Sequence, residues 1–159
     1  MRAVVQRVRE ASVDVDGERI SHIGRGLLVL IGISVDDGPR QADWMVDKLL
    51  GLRVFENDAG KFDQSVVDVG GAVLVVSQFT LYGDTRKGRR PSFTAAAPGP
   101  QASALYERVV ATIGARGVPV GAGRFGAHMA VSLVNDGPVT LLLESEPAPV
   151  QGVPHHTTP

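Results

Sequence analysis

Ala72-Val73-Leu74-Val75-Val76-Ser77-Gln78-Phe79-Thr80, introduced by Gly70-Gly71, is the most strand-like stretch of the chain. Its β-branched residues suit a pleated backbone, and the paired glycines punctuate its start. A second apolar run, residues 27–33, is bracketed by Gly24 and Gly26. A run of that length without polar alternation reads as a central strand buried on both faces.

Outward from these two, residues 2–8 read as a first strand. Ala11, Val13 and Val15 then alternate with Ser12 and Asp14, the period of a half-buried strand. Asp16-Gly17 predicts a hairpin turn into residues 18–23. Further strands are expected at 52–55, 118–122, 130–134 and 139–144. Behind Asp36-Asp37-Gly38-Pro39, the apolar residues Ala42, Met45, Val46, Leu49 and Leu50 recur at helical spacing, and Gly51 closes that helix. Leu105, Val109 and Ile113 repeat every four residues within 100–115, with Gly117 as the C-cap. A polar loop fills 82–98. Two main helices among at least seven strands predict one α/β domain over residues 1–145, with mixed, largely antiparallel sheets. Residues 146–159, with four prolines and the pair His155-His156, read as a disordered tail.

Composition narrows the chemistry. A chain of 159 residues is one domain by size. It has no cysteine, which excludes disulfides, thiolate metal sites and a cysteine nucleophile. Charge interrupts Met1-Arg2-Ala3-Val4-Val5-Gln6-Arg7 too early for a secretory leader, and the apolar runs are too short to span a membrane. A cytosolic protein with no membrane partner is expected. The net charge of −1 provides no global basic field, so any nucleic-acid contact must come from a local patch.

Familiar catalytic constellations are missing: no Gly-x-Ser-x-Gly elbow, no phosphate-binding glycine loop, no His-Glu-x-x-His. His22 and His128 are each candidates for a general base, although the plainer reading is a surface histidine. His155 and His156 read as solvated, and no metal site is expected.

Three local features remain. Ser77-Gln78-Phe79-Thr80 adds hydroxyl and amide groups where the strongest strand stops, and strand ends of α/β sheets are common ligand sites. The plainer alternative is a strand leaving the core. Asp84-Thr85-Arg86-Lys87-Gly88-Arg89-Arg90 concentrates four cations, which attract phosphate if the loop is more than a solvated one. Asn135-Asp136-Gly137-Pro138-Val139-Thr140 suggests an ordinary turn through its Asp-Gly. Against that, Pro138 removes a donor and admits a cis bond, while Gly137 permits close approach of backbone to a ligand.

Together, Ser77-Gln78-Phe79-Thr80 and Asn135-Asp136-Gly137-Pro138-Val139-Thr140 resemble the two signature motifs of the bacterial-type D-aminoacyl-tRNA deacylases, the D-tyrosyl-tRNA deacylase family. Gln6-Arg7-Val8, Ala11-Ser12-Val13, Gly26-Leu27-Leu28-Val29-Leu30, Arg89-Arg90-Pro91-Ser92-Phe93 and Gly123-Arg124-Phe125 extend the likeness over nearly the whole chain. One departure is Phe62-Asp63, where the family often has methionine and asparagine.

The resemblance implies a cofactor-free hydrolase that removes D-amino acids from tRNA; the sequence leaves open whether mischarged glycyl-tRNA is also cleaved, although an achiral amino acid has no L side chain to reject. It implies a homodimer with active sites at the interface. Ser77, Gln78, Phe79 and Thr80 would line the pocket for the terminal adenosine and its ester. Gly137-Pro138, held cis and supported by Arg7, would enter the partner's pocket and exclude L side chains. On their charge, and not on the resemblance, Arg86, Lys87, Arg89 and Arg90 are expected to meet tRNA phosphates. An aminoacyl ester on a ribose is already activated, so positioning and oxyanion stabilisation suffice without a triad. Backbone amides around Phe79 and Thr80 are the candidate oxyanion donors. The Thr80 hydroxyl either orients water or acts as the nucleophile, and with no base evident beside it orientation is the reading preferred. The rivals are a non-catalytic tRNA-binding or RNA-binding module using the basic loop, and a small-molecule hydrolase using His22 or His128.

Overall fold

The two apolar runs lie side by side. In the computed structural model, which describes residues 1–147, β3 (Gly26–Gly32) and β6 (Ala72–Ser77) pair in parallel, from Gly26 opposite Ala72 to Ile31 opposite Ser77. β1 (Arg2–Val15) runs antiparallel along the other edge of β3, with Ala3 opposite Ile31 and Arg7 opposite Leu27. β7 (Val120–Ala122) pairs in parallel with β6. The second half of β1 turns through Asp16 and Gly17 into β2 (Glu18–Ile23), as the hairpin signal predicts. The result is one mixed sheet in which β1 makes the antiparallel pairs and β3, β6 and β7 are parallel.

Alternation along the central strands divides the core in two. Leu27, Val29, Ile31, Val73 and Val75 face α1 (Pro39–Gly51) and α2 (Gly99–Ala115), meeting Met45, Leu49, Val109 and Ile113. Leu28, Leu74 and Val76 face the opposite side, where Val13, Val15 and Ile23 cover them. Both faces are therefore dry, which is why these strands lack polar alternation. Each fully buried aliphatic side chain contributes about 1.5–3 kcal/mol, so this layer dominates the stability.

Several boundaries differ from expectation. Residues 2–8 and 11–15 belong to one long strand, with only register irregularities near Val8. β6 stops at Ser77 and not at Thr80: Gln78 donates one last bond to the Ile31 carbonyl, at 2.7 Å, and Phe79–Tyr82 then winds into a 3-10 helix. β3 itself ends at Gly32, so no ladder remains for Phe79 to join. Residues 130–134 and 139–144 do not form a hairpin. They are the two halves of β8 (Ala130–Glu144), and both pair with β1. In place of the 52–55 and 118–122 strands stand the two-residue β4 (Phe55–Glu56) and the three-residue β7, and β4 pairs with an unanticipated β5 (Phe62–Gln64). Most of the expected disordered tail, including His155 and His156, lies outside the described residues. Among those described, no helix is long and apolar enough to cross a membrane.

Candidate functional site

β3, β6 and β7 are parallel, so their C-terminal ends open at one end of the sheet. A cavity of about 430 Å³ lies there. Ser77, Gln78 and Phe79 form one wall, the start of α2 with Gly99 and Ala102 another, and the segment after β7, with Phe125, Gly126, His128 and Met129, a third. The floor is apolar, made by Ile31, Val76 and Val131. Tyr106 braces the walls: its hydroxyl donates to the Val75 carbonyl at 2.8 Å. Burial pushes that hydroxyl up to about 12, so it serves as a fixed donor and not as an acid or base near neutrality.

Phe79 projects from the strand end, 59% exposed, with its ring edge-on to Phe93 at 5.0 Å between centroids. The Gln78 side-chain amide donates to the exposed Thr80 hydroxyl. The first donor inside the 3-10 turn is Leu81, to the Gln78 carbonyl, which leaves the Phe79 and Thr80 amides at the turn's open N-terminal end. Ser77, Gln78, Phe79 and Thr80 are thus contiguous at the pocket, although Thr80 stands just outside its lining. Of the two candidate histidines, His128 lines this cavity. His22 is elsewhere, on β2, with Nε2 at 3.9 Å from a Glu10 carboxylate oxygen.

The Gly137-Pro138 segment is built differently. Arg7, buried in β1, donates from Nε to the Asp136 carbonyl and from Nη1 to the Val54 carbonyl, both at 2.8 Å. Pro138 has no N–H for the ladder, and the Asn135 side chain takes over by accepting the Val139 amide at 2.9 Å. The Gly137-Pro138 peptide is cis, Gly137 has φ of +142°, and both residues are exposed. That φ is one that side-chain-bearing residues rarely adopt.

These two constellations do not meet within one chain. Arg7 is opposite Leu27, and Leu27 opposite Val73; Ser77 is opposite Ile31. Four residues of strand separate the two levels, about 13 Å, and the three strand spacings from β8 through β1 and β3 to β6 add about 14 Å sideways.

The basic loop is clipped at its base by paired backbone bonds between Asp84 and Ser92, at 2.8 and 2.9 Å. Arg86 folds back on Asp84 in a two-pronged contact, Nε to Oδ1 at 2.9 Å and Nη2 to Oδ2 at 2.7 Å. The guanidinium holds the Asp84 carboxyl down at about 2. Its charge is spent within the loop, whereas Lys87, Arg89 and Arg90 are exposed and unpaired among the described residues. Phe93, just past the clip, carries the loop against Phe79 and hence beside the cavity mouth.

Of the third cavity wall, around Phe125–Met129, the sequence offers only His128 as a site candidate. The rest of the wall's signal was faint: Gly123 and Gly126 follow a short strand, and a Cβ at Gly123 would fall 2.6 Å from the Met129 sulfur.

Comparison with known proteins places these features in a family. Residues 4–144 match the model of the family described as D-Tyr-tRNA(Tyr) deacylase. The D-aminoacyl-tRNA deacylase of Thermotoga petrophila is 57% identical over 145 residues, covering 91% of this chain and 97% of the relative. That of Myxococcus xanthus is 59% identical, covering 91% and 95%. Among solved structures, a c-Myc DNA unwinding element binding protein superposes with a TM-score of 0.86 at 47% identity, over 92% of this chain and 99% of the other. A probable eukaryotic D-amino acid tRNA deacylase, 22% identical, shares the fold with a TM-score of 0.78 over 89% and 97%.

Proposed function

Because this chain belongs to the D-Tyr-tRNA(Tyr) deacylase family, we propose that it is a chiral proofreading hydrolase. It hydrolyses the ester of D-aminoacyl-tRNA and releases the free D-amino acid and tRNA. The observation that carries this reading is the match over residues 4–144, which takes in both polar motifs and everything between them.

The chemistry follows from the pocket. A cavity of about 430 Å³ is large enough for a nucleoside and little more, which suits the terminal adenosine of tRNA. With the base held there, the ester lies over Phe79 and Thr80. Their free amides receive the developing oxyanion, and the Thr80 hydroxyl, already held by Gln78, orients the attacking water. The activated ester needs no stronger nucleophile. The reading requires no cofactor, and its substrate belongs to the cytoplasm.

Chirality comes from a second copy. Gly137-Pro138 cannot reach its own chain's pocket, so in a homodimer it enters the partner's. There it forms a wall of backbone, held by Arg7 through the Asp136 carbonyl. Such a wall does not yield by changing rotamer. An L side chain strikes it and a D side chain avoids it, so selection works by exclusion. Glycyl-tRNA has no side chain to exclude and is accepted as well.

The test is hydrolysis of one tRNA charged with the D or the L form of the same amino acid, followed over a dilution series. Turnover of the D ester alone, lost as the dimer dissociates, supports the reading. Binding without turnover would leave a tRNA-binding module resting on the basic loop, and a fully active monomer would end the shared-site account.

A further inference from the structure

The stretch of β8 that carries Gly137-Pro138 has a closure of its own. Gln6 is opposite Thr140 and Val8 opposite Asn135, so four residues of β8, 136–139, stand against Arg7 alone. Extra chain of that kind interrupts the ladder, and its two ends must be tied by other means. Asn135 ties them. Its Oδ1 accepts the Val139 amide at 2.9 Å, and its Nδ2 donates to Thr140 Oγ1 at 3.0 Å. A backbone amide only donates, which fixes the end of the carboxamide that faces it. Gln6 Nε2 donates to the same hydroxyl oxygen at 3.2 Å and fastens the far end of the excursion to β1. An asparagine bonded to backbone a few residues on is ordinary turn chemistry. Here both ends of one carboxamide cross from the near end of the excursion to the far end, with the exposed Gly137 and Pro138 between them.

We propose that Asn135 is a positioning residue for chiral selection: by closing the base of the excursion it fixes the angle at which Gly137-Pro138 enters the neighbouring pocket. The inference rests on the shared-site reading above. Arg7 and Asn135 divide the task. Arg7 anchors the Asp136 carbonyl on the near side, at 2.8 Å, and Asn135 anchors Val139 and Thr140 on the far side. With one anchor gone, the segment pivots about the other. A wall that pivots no longer meets an L side chain at a fixed distance, and it no longer holds the ester steadily for attack. Each neutral hydrogen bond shifts the balance between held and released states by a factor of about two to ten, so losing both bonds of the carboxamide frees the far side.

The experiment charges one tRNA chemically with D-tyrosine and with L-tyrosine and measures single-turnover hydrolysis, enzyme in excess, by wild type, Asn135→Ala, Asn135→Asp and Thr140→Val. The readout is the D-over-L rate ratio, which neither a smaller folded fraction nor weaker tRNA binding alters. Asn135→Ala should lower the ratio about tenfold. Asn135→Asp should keep it within about threefold of wild type, because a carboxylate still accepts the Val139 amide. The Thr140 hydroxyl, which donates to nothing else among the described residues, then turns its proton to the new carboxylate. Thr140→Val removes only the second bond and should lower the ratio about threefold; it carries the test if Asn135→Ala does not fold. A ratio within twofold of wild type in the alanine variant, or in the valine variant where the alanine one does not fold, overturns the proposal. So does an aspartate variant no more selective than the alanine one. Failure of the wild type to hydrolyse the D ester would instead remove the deacylase reading itself.

Discussion

Replacing Gly137 by alanine separates the cost of a strained backbone from the loss of a positioned wall. At φ of +142° an alanine is held in a region costing about 1–3 kcal/mol. Its Cβ would stand 2.8 Å from Val139 Cγ2, 2.9 Å from the Val139 backbone nitrogen and 3.3 Å from Arg7 Nη2. The valine methyl can rotate away. The backbone nitrogen cannot, since the Asn135 carboxamide fixes it. The segment must therefore move. Because Gly137 and Pro138 are exposed, it moves outward without opening the core, and the stability loss stays near the strain alone, about 2 kcal/mol. For a domain of this size that is a fall in Tm of about 4–8 °C. The functional cost is larger. A displacement on the order of 1 Å costs about a hundredfold in rate where geometry carries the catalysis, and a displaced wall also admits L substrates. Single-turnover hydrolysis of D- and L-tyrosyl-tRNA, beside a melting curve, measures both. A variant that melts lower but keeps wild-type kcat/KM and wild-type D-over-L selectivity would refute the reasoning, because the segment would then be structural only.

Neutralising Lys87, Arg89 and Arg90 together should flatten the salt dependence of tRNA binding by about two to three units of log–log slope, whereas Arg86→Gln alone should change it less than any one of those, its charge being already paired with Asp84; an unchanged slope in the triple variant assigns the loop to solvation. His128→Ala should lower kcat/KM by less than about tenfold, and a loss of about a thousandfold together with a vanished limb of the pH–rate profile would restore the histidine general-base rival. Tyr106→Phe removes a buried donor from the Val75 carbonyl and should cost about 1–3 kcal/mol in urea unfolding at neutral pH. Burial raises the Tyr106 hydroxyl to about 12, so the folded state holds this proton more tightly than the unfolded one. Its contribution is complete below the ordinary value of 10.0 and declines as pH rises through about 12. Wild type should lose stability across that window more steeply than the variant, which keeps only the like-signed effect of buried Tyr82.

The central strands were legible because burial on both faces leaves no polar residue to interrupt them, and both helices because their apolar spacing is regular. What escaped was decided by pairing at a distance. Nothing local in Asp136-Gly137 says whether the chain reverses or continues. It continues because β1 is long enough to pair with both halves of β8, and because Arg7, some 130 residues away in sequence, supplies the donor that closes the irregularity. The strand end at Ser77 was visible, but its stop there and not at Thr80 depends on where β3 ends. The Phe125–Met129 wall left little trace, since it contributes surface and shape with few polar groups. In sequence the basic loop is four equivalent cations, and only its folded geometry lets Asp84 claim one of them.

On the shared-site reading, β8 ties assembly to selectivity. It is fifteen residues long and, among the described residues, pairs along one edge only, with β1. Leu133, Val134, Leu141 and Leu142 are exposed on it, the last at 80%. A long apolar edge strand left open invites uncontrolled association, and proteins cover such edges or break them. On the shared-site reading, the covering element is a second copy of the same chain. Gly137-Pro138 lies between these two apolar stretches, at Leu133–Val134 and Leu141–Leu142, so docking that strand delivers the wall to the neighbouring pocket in the same step. A monomer would then retain its adenosine cavity and Thr80 but lack the wall that both positions the ester for attack and rejects an L side chain. Coupling the wall to the interface means that a catalytically competent site and a chirally selective one form together. For an enzyme acting in the presence of a large excess of L-aminoacyl-tRNA, that coupling keeps an unassembled chain from hydrolysing the correct substrate.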